Sequence, residues 1–66
     1  MNKIETLNGS TFTTTATGTV VFLRTGINGR GEKTWAVLSA TKARPNNWLT
    51  ETFKTVAEAL NWMRWI

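Results

Sequence analysis

One segment constrains the architecture more than any other. Thr55-Val-Ala-Glu58 is a capping box. In it the threonine oxygen accepts from the third helical amide, and the glutamate carboxylate accepts from the Thr55 amide. The spacing then predicts a helix running to Ile66. At 100° per residue Val56, Ala59, Leu60, Met63 and Ile66 fall on one stripe, which Trp62 and Trp65 widen, while Ala57, Asn61 and Arg64 take the other side. The apolar arc covers about 220° of an ideal helical projection. A small sheet covers less than that. The surplus is either an aromatic edge over a thin core or a dimer or partner surface built on Trp62, Trp65 and Ile66.

Upstream of this helix the chain reads as strands and turns. Thr19–Thr25 (TVVFLRT) is β-branched and apolar on both faces, the pattern of a central strand. Gly26–Lys33 is a loop with three glycines and Asn28-Gly29 as its expected turn centre. Thr34–Lys42 is predicted to return as the second arm of a hairpin, and Ala43–Asn47 (ARPNN) ends it, because proline cannot donate to a ladder. Trp48–Phe53 alternates, with Leu49 and Phe53 expected to face the core on the side that also carries Glu51. Asn8-Gly9 suits a tight turn, and the threonine-rich stretch Thr11–Thr17 fits either an edge strand or a loosely held arm. The expected fold is therefore α+β. A three-stranded or four-stranded antiparallel sheet packs on one C-terminal helix, with residues 1–18 as an arm or edge strand ahead of a single domain over 19–66.

Composition narrows the chemistry. Sixty-six residues allow one core, and chains of this size often depend on disulfides, metals or partners. With no Cys and no His, disulfides and most zinc, copper or haem sites fall away, and no cofactor or metal is expected. No Asp or Tyr is present, and neither Ser10 nor Ser39 sits in a Gly-x-Ser-x-Gly elbow. A non-enzymatic protein is expected. No apolar run approaches the ~18 residues of a membrane span, and none resembles a signal peptide, so a cytoplasmic location away from membranes is expected.

The net charge of +4 is localised. Residues 1–23 and 45–66 are each neutral, so the whole excess lies on Arg24, Arg30, Lys33, Lys42 and Arg44 against Glu32. Such a cluster can follow phosphates, and Trp35 and Trp48 beside it add planar surface on which bases can stack. The same residues also suit a solubilising sheet edge.

Trp48–Leu60 (WLTETFKTVAEAL) resembles the third strand and helix of the Apetala-type ethylene-response-factor DNA-binding domain, and is similar to the arm-type domain of phage and transposon integrases, whose strand-to-helix junction reads F-x-T-x-x-E-A. The resemblance covers about residues 19–66. It implies a sheet that enters the DNA major groove, with Arg24 and Trp48 at contact positions and Arg30, Lys33, Lys42 and Arg44 on phosphate. The leading expectation is a small DNA-binding protein of phage or mobile-element type, with duplex favoured over single strands. The alternative is a protein-interaction module, a phage-type inhibitor or adaptor of a larger machine, that uses the aromatic helix face, as a homodimer or with another protein.

Overall fold

A computed structural model describes residues 1–41 and 43–66. Among them are β1 (Glu5–Leu7), β2 (Ser10–Thr14), β3 (Val20–Ile27), β4 (Lys33–Ala40), β5 (Asn47–Trp48) and α1 (Val56–Trp65). The strands form one antiparallel meander in chain order, with α1 against β3 and β4. The α+β class with one helix holds. The expected three or four strands are five, because the threonine-rich stretch pairs with β3 and brings a further hairpin with it.

Each turn has a chemical cause. Asn8 (φ 51) and Gly9 (φ 80) are both left-handed, which makes the two-residue turn that matches strand twist. The β2–β3 and β3–β4 turns share another design. The first residue's carbonyl accepts from the amide three residues on, and a glycine at the fourth position (Gly18, φ 84; Gly31, φ 78) turns the chain back. In the second of these the centre is Gly29-Arg30, one residue past the expected Asn28-Gly29. Asn28 opens the turn instead, and its Oδ1 accepts from the Arg30 and Glu32 amides at 2.8 and 3.1 Å.

The expected strand Trp48–Phe53 shrinks to Asn47–Trp48 plus a single bridge between Trp35 and Phe53. Unbroken continuation of the Leu38↔Trp48 register would pair Trp35 with Glu51, setting a carboxylate against the core. The chain bulges by two residues instead, and the Thr50 hydroxyl accepts from the Val37 amide at 3.1 Å in place of a ladder carbonyl. Phe53 thereby joins the core, Glu51 stays in solvent, and Leu49, also expected inside, stays partly exposed at the rim.

Between sheet and helix lie Val21, Val37, Ala59 and Met63, all buried, ringed by Ile4, Leu23, Trp35, Phe53, Leu60 and Trp62. Thr55 caps α1 by accepting from the Glu58 amide at 3.3 Å, as the capping box requires. The reciprocal half differs: the Glu58 carboxylate accepts from the Thr55 hydroxyl rather than from its amide. The other end of the helix is closed from a distance. Asn2 donates its backbone amide to the Arg64 carbonyl and its Nδ2 to those of Met63 and Ile66. As the wide apolar arc foretold, the sheet covers only part of α1, and Val56, Trp65 and Ile66 remain exposed.

Candidate nucleic-acid interface

Strand alternation sends Val21, Leu23, Trp35 and Val37 towards α1, so their neighbours point the other way. The registers then align one row across that open face: Glu5, Phe12, Phe22, Leu38 and Trp48, one residue from each strand. At about 4.8 Å between strands the row is about 19 Å long. Leu38 is fully buried although no helix covers it, since its row neighbours are the bulky Phe22 and Trp48. Phe12 and Phe22 are half-buried and Trp48 is 54% exposed, so the face is apolar, partly aromatic and open to solvent.

Arg24 lies on this face, opposite Ala36. Because Ala36 is small, the arginine can cross β4, and its guanidinium carbon sits 5.9 Å from the centre of the Trp48 ring. That is a cation–π distance, and it holds the guanidinium on the sheet surface. The structure thus joins the two residues that the resemblance pairs as contact positions.

The remaining predicted residues are dispersed. Arg30 and Lys33 line a cleft of about 460 Å³ at the β3–β4 turn, together with Lys54. Arg44 lies in the connection beyond β4, where its amide donates to Thr41 Oγ1. The eight residues of β4 separate the two ends by about 24 Å. Lys42 falls outside the described residues. Trp35 is on the face opposite Trp48, half-buried in the helix-side core, and exchanges two backbone hydrogen bonds with Phe53. The charge run is continuous in sequence, but in space it divides into two ends and a centre.

On the helix side, Trp62 and Ile66 line a groove of about 370 Å³ with Leu49 and Val21, while Trp65, at 68% exposure, lies outside it. Ser39 stands three residues before Lys42, a Ser-x-x-Lys spacing, but its side chain is buried and its hydroxyl accepts from Asn47 Nδ2 at 3.3 Å. Among the described residues no three acidic, His or Cys side chains gather as metal ligands, and no helix is long and apolar enough to cross a membrane.

Sequence reasoning missed Phe12, Phe22 and Lys54. A period-2 reading carried from β3 across the Thr15–Thr19 turn would have found the phenylalanines; nothing local marks Lys54. No protein-family model, curated protein or solved structure matches the chain.

Proposed function

We propose that this chain is a small non-enzymatic nucleic-acid-binding protein whose contact surface is the open sheet face. One observation carries the reading: a guanidinium held over Trp48 within a cross-strand aromatic row, with further cations at the ends of the same hairpin. Aromatic surfaces beside basic groups suit unpaired bases, and each stacked base contributes about 1–3 kcal/mol. Width argues for single strands over duplex. The row of about 19 Å exceeds a major groove of about 12 Å, whereas an unpaired strand can lie across it. Arg24 and Trp48 meet bases, while Arg30, Lys33 and Arg44 meet backbone phosphates.

Anisotropy titrations with labelled oligo-dT of about 12 nucleotides and with a duplex of equal length, at about 50 and 200 mM NaCl, test this. The expected result is tighter, salt-sensitive binding of the single strand, weakened about tenfold by Trp48→Ala. Binding that ignores salt, or the absence of binding at the lower salt, sinks the reading.

A second reading has its own observation. Trp65 is exposed beside Ile66 on a helix whose apolar arc the sheet covers only in part, the pattern of an interface with a second copy or another protein. The mass of the free protein in solution tests the homodimer, and its reversal to monomer by Trp65→Ala locates the interface.

A further inference from the structure

The cleft at the β3–β4 turn gathers cations from two separate stretches of chain. Arg30 and Lys33 come from the turn and the start of β4, and Lys54 from the residue after Phe53. Phe53 bonds Trp35 in both directions, which fixes the backbone that delivers Lys54 to this end of the sheet. Against three cations the lining holds one carboxylate, Glu32, whose Oε1 accepts from Asn28 Nδ2 at 3.3 Å. The same asparagine braces the turn through its Oδ1, so the cations stand on a loop with a defined shape.

The turn does not need these charges in order to form. Thr15–Thr19 closes with the same backbone pattern, and there too a side-chain oxygen at the first position, Thr15 Oγ1, accepts from the last amide, at 3.2 Å. That loop carries only neutral side chains. Three like charges around one cleft repel each other, and an anion seated among them relieves the repulsion.

We propose that the cleft is a phosphate site, and that Lys54 is a binding residue for the backbone of a single strand as it passes off the open face. The assignment rests on the nucleic-acid reading above. A strand that leaves the aromatic row at Phe22 and turns along β3 passes Arg24 and then reaches this end of the sheet. Two consecutive phosphodiesters offer the paired anionic oxygens that a guanidinium fork and two ammonium groups match.

The test uses the isotope-labelled full chain, titrated separately with sodium pyrophosphate and with oligo-dT of about 12 nucleotides, starting at about 50 mM NaCl. Wild type is compared with Lys54→Gln and with Arg64→Gln, which removes an exposed helix cation outside the cleft. Pyrophosphate is expected to shift the amide resonances of residues 28–34 and 54 in wild type and Arg64→Gln, and to shift them less in Lys54→Gln. For oligo-dT, Lys54→Gln is expected to lower the salt slope of log K by about 0.7, the value of one phosphate contact on a single strand. If Lys54→Gln matches wild type with both probes, the cleft proposal is overturned, and oligo-dT shifts at Phe12, Phe22 and Trp48 leave the open-face reading intact. If pyrophosphate binds but oligo-dT binds to no variant, the nucleic-acid reading falls and the ligand assigned to the cleft falls with it.

Discussion

The two faces of the β3–β4 pair are built from alternate residues of the same strands, yet they are closed by opposite means. Towards α1 the strands present Val21 and Val37, and the helix answers with Ala59 and Met63, all buried. At the centre of this contact the side chains are small or flexible, which lets a helix approach and interdigitate, and the rings of Trp35, Phe53 and Trp62 pack around them. Away from α1 the sheet presents Phe12, Phe22, Leu38 and Trp48, and only Leu38 is fully buried. Here flat rings flank Leu38, Arg24 stands opposite the buried Ala36, and the Trp48 ring stays about half exposed. The covered face holds the fold together, and the open face keeps apolar surface available without a second layer.

That contrast breaks most visibly at Met63. Its truncation to alanine leaves a cavity between two rigid elements, with an expected loss of about 3 kcal/mol. For a chain of this length total stability is about 3–10 kcal/mol, so the variant loses from about a third to nearly all of it, and urea denaturation should find its midpoint well below that of the wild type. Leu38→Ala is the matched case, equally buried but on the open face. Phe22 and Trp48 can settle and water can enter, so the expected loss is smaller, about 2 kcal/mol. Equal losses from the two variants would show that the open face is a second rigid core.

Much of the covered face was legible in the sequence. The capping box located α1, its stripe named Ala59 and Met63, and the β-branched run in TVVFLRT marked the central strand. The open face was less so, because a row across strands exists only once registers are known. Phe12 and Phe22 sit ten positions apart and become neighbours through a turn whose threonines gave no clear signal. The bulge at Thr50 was half visible: the alternation of Leu49, Glu51 and Phe53 put a carboxylate on a core face, a conflict that the fold resolves by skipping two residues. The charge run misled in the opposite sense. Local in sequence, it lies along a hairpin long enough to separate its ends, and the cleft gains Lys54 from elsewhere.

Arg24→Gln sharpens the comparison at smaller cost. The guanidinium is exposed, and its contact with Trp48 is worth about 0.5–1 kcal/mol. Thermal denaturation should change little, because the helix-side core is untouched. Oligo-dT affinity should fall about fivefold, from the loss of one charged contact and of the order it imposes on Trp48. A drop in stability without a change in affinity would assign Arg24 to the fold instead.

Asn2→Ala probes the covered face at its margin and carries the smallest expected effect. In the native chain Asn2 Nδ2 donates at 3.0 Å to the Met63 carbonyl and at 3.1 Å to that of Ile66, two groups with no partner inside the helix. Alanine removes both bonds but keeps the backbone amide that donates to the Arg64 carbonyl. The carbonyls lie near solvent and can turn to water, so the net loss is about 1 kcal/mol rather than the full cost of buried, unsatisfied groups. The segment that Asn2 anchors also carries the Lys3 carbonyl, which accepts from the buried Thr13 hydroxyl at 2.7 Å, and Ile4, which packs on the core. Loosening should therefore spread along residues 2–4 and into the last turn of α1, as faster amide hydrogen exchange there. Phe12 faces away from this segment, so oligo-dT affinity should stay at the wild-type value. An equal loss of affinity would mean that the two faces are coupled through β2, whose Thr13 meets the covered side and whose Phe12 meets the open one.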